Sequence, residues 1–540
     1  MPKRDEKGKP TVKQIKERHA ACERKWDEWR SIYDLCYTFA APQRNLWGGH
    51  GEVGITQGTT KMNQVFDSTA ISSTSRFANR VQANVFPPQK KWARLEPGTK
   101  IPPNRVTEIK RALEVVCDEM FAVMRSSNFD IAIGEFLTDL AIGTAHLCVQ
   151  PGDYESPVNY TAVSPAHVRF EEDEYGRPCN HYRPLKVKAE LITRLWKGAK
   201  LNADMERLVE KEPTKEVELL ESTIKDLDTG RYHYQISSVK DEHEVYWRSQ
   251  KYSNWVTARY SKLAGEILGR GPVVSALPDI RTLNRTKELL LKKAALSLAG
   301  VFTAVDDGVL NPNNVKIQSG TIIGVAANAG PRGPSLAPLP LGGDMQMNQI
   351  IINDLVMSIK RILLDESLPP DSASARSATE IIERMKELAQ NMGSAFGRLI
   401  DEVLIPVVQI TLMVLDEGGV IQLPLKVNGR EIKAVPVSPL AMAQNMDEVE
   451  NTFQFANMMS LLGNKGHPEV IFTDDLPDWL GDHMGVPEKV RRTPQDREAK
   501  LGEMQEQQKQ AMVAQVAMDA ASKAKPEAPA APMGMLKAAA

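Results

Sequence analysis

Basic residues are not in excess in this chain. Its 540 residues carry 67 Lys and Arg against 69 Asp and Glu, a formal net charge of −2. A protein that grips nucleic acid by charge has a clear basic surplus, so the balance argues against tight electrostatic binding but not against passage of a nucleic acid. Aromatics are sparse at 6%, which suits a helix-rich chain more than a β-sandwich. Cysteine is scarce: Cys22, Cys36, Cys117, Cys148 and Cys179 stand apart, with no CxxC pair. That spacing predicts free thiols in a reducing compartment. No apolar run reaches the ~18 residues of a membrane span. The polar, charged stretch 1–14 shows no secretory signal. Catalytic signatures are also missing. Gly463-Asn-Lys-Gly-His467 lacks the P-loop spacing, and neither a GxSxG elbow nor HExxH occurs. No enzymatic activity, cofactor or metal is expected.

What is present is ordinary for soluble protein: 42% hydrophobic and 25% charged residues. The length predicts several domains or layers. Apolar periodicity predicts a helix over 12–39, a Gly-rich loop over 41–61 and a helix over 62–85. The last turns Phe66, Ala70, Ile71, Phe77 and Val81 inward. Gly49-His-Gly-Glu-Val-Gly54 matches GxGxxG, but without a preceding strand or a following apolar helix it reads as flexible loop. An extended piece at Phe86-Pro-Pro-Gln-Lys-Lys-Trp-Ala-Arg-Leu95 leads to helices over 104–126 and 129–143. Asp130, Glu135 and Asp139 on the second read as a solvated face.

From 144 to 268 the texture is β. Strands are expected at 145–150, 159–163, 167–170, 232–239, 242–248 and 254–259, with a turn at 173–176 and a short helix over 187–196. The stretch 206–226 is ambiguous. His146, His167, His181, His233 and His243 match no metal-ligand spacing and read as strand and loop residues.

A helix follows over 273–298, its regular part starting near Pro278. Leu277, Ile280, Leu283, Leu290, Ala294 and Leu298 form its apolar side; Arg281, Arg285, Lys287, Lys292 and Lys293 lie on the rest. Short strands punctuated by Pro and Gly occupy 301–341. An apolar helix over 345–364 carries Lys360 and Arg361. The segment 366–376 breaks it. Pro369 and Pro370 remove two amide donors, and Ser367, Asp371, Ser372 and Ser374 favour turns between Glu366 and Arg376. Ser377-Ala-Thr-Glu380 then has the spacing of a capping box. Ile381, Met385, Leu388, Met392, Ala395, Leu399 and Val403 form one stripe on a helix that runs to 416, kinked at Pro406. A hairpin is expected over 420–432 with its turn at Asn428-Gly429. Helices are expected over 439–462, 475–483 and 487–492, an exposed helix to about 522, and disorder over 523–540.

This order of elements resembles portal proteins of tailed bacteriophages, the head-to-tail connectors, particularly those of short-tailed phages. Asp67-Ser-Thr-Ala70 followed by Phe86-Pro-Pro and Trp92-Ala-Arg-Leu95 is similar to the family's N-terminal helix, phenylalanine-proline turn and tryptophan-centred strand. Ala378-Thr-Glu-Ile-Ile-Glu-Arg384 resembles the start of the long helix after the tunnel loop. Thr493-Pro-Gln-Asp-Arg-Glu-Ala-Lys500 resembles the connectors' tail.

The resemblance implies an α+β, mainly helical chain with wing, stem, clip and crown, assembled as a ring of twelve subunits in this family. It divides the chain into an N-terminal arm and wing (1–272), stem helices (273–300 and 344–365) around a clip (301–343), and a tunnel loop (366–376). A long kinked wing helix with hairpin (377–438), a crown (439–495) and a tail (496–540) follow. It implies a virion protein at one capsid vertex, assembled in the host bacterial cytoplasm, through which double-stranded DNA is packaged and ejected without sequence specificity. The implied partners are copies of itself, the terminase large subunit, the major capsid and scaffolding proteins, tail adaptor and tail tube proteins, and internal core proteins, with no membrane. Candidate DNA-channel residues are then Arg281, Arg285, Lys287, Lys292, Lys293, Lys360 and Arg361. Tunnel-loop candidates are Glu366, Ser367, Pro369, Pro370, Asp371, Ser372, Ser374 and Arg376. The alternative is another phage structural protein, or an internal core or scaffold protein without a channel. It leaves the clip-like excursion unexplained.

Overall fold

A computed structural model describes residues 8–44, 62–102, 105–238, 240–299, 302–304, 336–338, 345–365, 390, 392–426, 431–462, 476–483, 499–500 and 502–513. They divide into two units, residues 1–101 with 112–448 and residues 102–111 with 449–540.

The larger unit opens with α1 (Val12–Ala40). Thr11 Oγ1 accepts the Gln14 N–H at 3.3 Å, and the Gln14 side chain accepts the Thr11 N–H at 2.9 Å. This capping box satisfies two amides that helix geometry leaves over. Next is α2 (Thr69–Val85). It starts at Thr69, not at 62, because Asp67 Oδ1 takes the Thr69 N–H at 2.8 Å and so ends the preceding irregular segment. Phe66, expected inside, is 39% exposed. Then come β1 (Ala93–Pro97), α3 (Val106–Ser126) and α4 (Phe129–Ile142). Phe86 and Trp92, in the Phe-Pro and Trp segment, are core. Trp92 stacks on Phe129 at 5.8 Å and meets Phe86 and Phe121 edge-on, each at 5.1 Å.

The β region runs as β2 (Thr144–Pro151), β3 (Val158–Val163), β4 (Arg169–Glu172), β5 (Pro178–Lys188), α5 (Ala189–Leu195), α6 (Ala203–Lys211), β6 (Glu216–Lys225), β7 (Tyr232–Ser238), β8 (His243–Gln250) and β9 (Trp255–Arg259). A 3-10 turn at Pro165–His167 replaces the start of the strand expected there. The helix expected over 187–196 starts only at Ala189, after β5. Two antiparallel sheets result, ordered β3-β2-β9 and β4-β5-β6-β7-β8. Side-chain alternation explains how the larger sheet is covered. Val217 and Leu219 of β6 join the apolar cluster of α5 and α6, while Leu220 and Ile224 join Ile15 and Cys22 of α1.

Polar groups stitch this body together internally. Asp139 is fully buried, not solvated: the Tyr37 hydroxyl donates to it at 2.8 Å and Arg44 at 2.5 Å. Burial pushes its carboxyl up, against the pull of Arg44. His146 and His181 both contact Thr257 Oγ1, at 2.8 and 2.9 Å, which joins the two sheets. Burial holds the His146 imidazole well below the usual range and His181 down to about 3. Their reading as strand histidines matches these hydroxyl contacts, and among the described residues no group of three or more potential metal ligands forms. All five cysteines are buried and unpaired.

After β9 come α7 (Pro272–Ala299), β10 (Phe302–Ala304), β11 (Leu336–Pro338) and α8 (Met345–Ile362). Then follow α9 (Ser394–Leu399), a π-helical turn at Ile400–Leu404 and α10 (Ile405–Glu417). The helix expected to run unbroken to 416 is interrupted at Gly393, where φ is +47°. The π turn stands where the kink was expected: Ile405 N–H reaches back to Ile400 O. The wider turn makes room for Pro406, which has no amide to donate. Glu402, within this turn, accepts from the Arg259 backbone N–H at 2.8 Å and from its guanidinium at 2.6 Å. Arg259 is 1% exposed and also pairs with Glu172.

Residues 420–426 form no strand. Instead β12 (Ile432–Pro436) pairs antiparallel with β1, Ala93 opposite Pro436. α11 (Pro439–Leu462) follows, over the range expected. In the smaller unit the later part of α11 leaves Phe453, Phe455 and Met458 at 61%, 50% and 60% exposure. α12 (Leu476–His483) stacks His483 on Trp479 at 4.0 Å, and residues 502–513 are helical. The GxGxxG stretch, Asn428-Gly429, the segment 487–492 and the end of the chain from 514 lie outside the described residues.

Candidate functional site

The sequence places its candidate cations on α7 and α8. α7 begins at Pro272, ahead of Pro278. A proline at the first helical position loses nothing, and Pro278 forgoes one bond in the second turn. Val273, Ala276, Ile280 and Leu283 are buried, as are Ile352, Ile359 and Leu363 on or just beyond α8. β10 and β11 pair antiparallel, Phe302 opposite Pro338, which makes α7 and α8 an antiparallel hairpin. Ser358 Oγ donates to Asp279 at 2.7 Å and locks the two helices together.

The seven cations do not share one environment. Arg281, Arg285, Glu288 and Lys292 follow one face of α7. Glu288 accepts from Arg285 and from Lys292, each at 2.7 Å. Lys292 first, then Arg285, holds the Glu288 carboxyl below its usual range. Arg281 is exposed and makes no ion pair among the described residues. Lys287 pairs with buried Asp67. Beside it, Asn284 Oδ1 accepts the Phe66 N–H at 2.7 Å and its amide donates to Gln64 O at 3.0 Å. Lys287 therefore anchors the segment before α2. Lys293 has a partner, as does Arg361. Lys360 and Arg361 occupy the last turn of α8, where a cation meets the negative end of the helix dipole. All eight tunnel-loop candidates lie outside the described residues.

Two features escaped the sequence reading. The first is exposed apolar surface: Leu289 and Leu291 are 51% and 54% exposed, and Ile350, Ile351 and Met357 are 66%, 46% and 66% exposed. Helical spacing shows that a helix has an apolar face, but not which of its faces finds a partner within the chain. The second is the end of α8, gripped by α2. Ser73 Oγ donates to Asp365 at 2.7 Å, Arg76 at 3.2 Å, and Arg80 donates to Leu364 O. No local signal in the sequence links these segments.

Residues 12–491 match the family model described as bacteriophage head to tail connecting protein. The chain belongs to that family. It is also 22% identical over 458 residues to a protein of Bordetella phage BPP-1 described as a probable portal protein, covering 80% of each chain. Among solved structures, it is similar to a chain of the virion of a native gene transfer agent particle. That match has 12% identity and a TM-score of 0.33, and covers 84% of this chain and 98% of the other. In this connector the α7–α8 hairpin carries the candidate cations, and both of its helices leave large apolar side chains in water.

Proposed function

We propose that this connector is the portal subunit, and that its copies close into a ring around a channel for double-stranded DNA at one capsid vertex. The observation that carries the reading is the exposed apolar surface on both helices of the hairpin. Ile350 and Met357, seven residues apart, lie on one face of α8, and an exposed apolar face marks a contact surface. A head-to-tail contact between different faces of neighbouring copies generates a ring when its rotation closes. In this reading α7 and α8 are the stem, β10 and β11 belong to the clip, and the two-sheet body is the wing. Segment 366–376 is the tunnel loop and 439–495 the crown. The ring carries the genome during packaging and ejection. It docks the terminase and later the tail proteins, and meets capsid, scaffolding and internal core proteins at its rim.

Arg281 and Lys360 are the cations freest to meet phosphates. Near-neutral overall charge suits a conduit, because DNA held by many phosphate contacts does not slide easily. The family is structural, and purified protein is expected to show no ATP hydrolysis. Averaged top views in negative stain test the reading: rings of one symmetry with a central channel are expected, and monomers or filaments under every condition overturn it. Deleting 372–375 is expected to leave rings intact and to impair DNA packaging or retention. Loss of the rings would instead make the loop structural.

A further inference from the structure

α8 stops in an unusual way. Leu364 has φ of +54°. Its N–H donates to Arg361 O at 3.1 Å, and the Asp365 N–H donates to Lys360 O at 2.7 Å. This is a Schellman motif with leucine at the left-handed position that glycine normally takes. A leucine there is held against the preference of its own side chain. The holding groups come from one face of α2. Ser73 Oγ donates to Asp365 Oδ2 at 2.7 Å, Arg76 reaches both carboxylate oxygens at 3.2 and 3.3 Å, and Arg80 donates to the Leu364 carbonyl. Asp365 is 6% exposed, so these donors stand in for the water it has lost. The Arg76 side chain, by contrast, is 59% exposed and is open to competition from solvent.

We propose that Ser73, Arg76 and Arg80 form a latch that holds α8 in a stopped state, and that opening the latch lets the helix run on through Leu364 and Asp365. The stopped state is favoured by the latch contacts and opposed by the Leu364 backbone; the extended state reverses both. Each residue added to a helix turns the chain by about 100°. The latch thus sets the direction in which the chain leaves α8. It lies within one subunit and does not depend on ring closure.

High-resolution structures of full-length Asp365→Ala and Asp365→Ala/Leu364→Gly test this. In Asp365→Ala, α8 is expected to continue through residue 365 with a negative φ at 364. Adding Leu364→Gly removes the side-chain penalty and is expected to restore the stop at 362. An Asp365→Ala helix that still ends at 362 with Leu364 left-handed overturns the proposal. So does a double variant as extended as the single one. Should Asp365→Ala not fold, the combined Ser73→Ala/Arg76→Ala/Arg80→Ala variant, which removes every latch donor, replaces it in both chains, with the same outcomes decisive.

Discussion

The two-sheet body and the α7–α8 hairpin differ in where their densest charge networks sit. The body buries its charges and satisfies them internally: Arg259 holds Glu172 and Glu402, and Asp139 is held by Tyr37 and Arg44. The hairpin keeps ion pairs such as Arg285–Glu288 at its surface and leaves Ile350 and Met357 in water. Breaking one partner of a buried pair leaves the other uncompensated, so these contacts fix the body's internal arrangement. Exposed apolar side chains on a regular hairpin remain unsatisfied until another surface covers them.

Substitutions that separate the two regions break or sharpen that contrast. The largest effect on folding is expected from Arg259→Ala. It strands carboxylates inside the body and costs about 3–5 kcal/mol in denaturant unfolding. A loss below about 1 kcal/mol would show that the buried network is not what binds the sheets to the π turn. Next is acid. The folded body holds His146 and His181 neutral, while the unfolded chain takes up protons below pH about 6.5. Stability is therefore full above that pH and falls as pH drops from there towards about 3, the value of His181. Urea midpoints across this range check it, and replacing both histidines with glutamine is expected to flatten the profile. Met357→Glu is expected to change subunit stability by less than about 0.5 kcal/mol while abolishing rings in size-exclusion and native mass measurements. Rings that survive would place the subunit contact elsewhere. Smallest of all is Glu288→Gln, which removes the charge pairing of two exposed cations, Arg285 and Lys292, and is expected to leave both unfolding midpoint and ring formation unchanged.

Legibility in the sequence followed the range of the interactions. α1 and α11 were readable almost to the residue, because apolar period and caps are local. Glu216–Lys225 was ambiguous because its charged residues, among them Glu216, Glu218 and Glu221, mask a strand whose remaining side chains serve two faces. Glu221 is in fact buried beside Arg183 and Tyr234. The hairpin expected over 420–432 failed because the partner of β12 is β1, far earlier in the chain, and no turn signal marks that pairing. Asp139 was misread for the same reason. A carboxylate on a helix looks solvated until Tyr37 and Arg44 arrive from elsewhere.

Family, the order of the long helices and the positions of the candidate cations were decided by the sequence alone, since these depend on period, turn chemistry and the order of segments. Which cations are free was decided only by the tertiary structure. Arg281 stands open, while Lys287 is committed to Asp67 and Glu288 takes both Arg285 and Lys292. The tertiary structure likewise decided that α8 ends in a left-handed leucine under the grip of α2. The physical reason is common to both. Charge pairing and burial act between residues that only the folded chain brings within a few ångströms, and a linear pattern does not carry that distance.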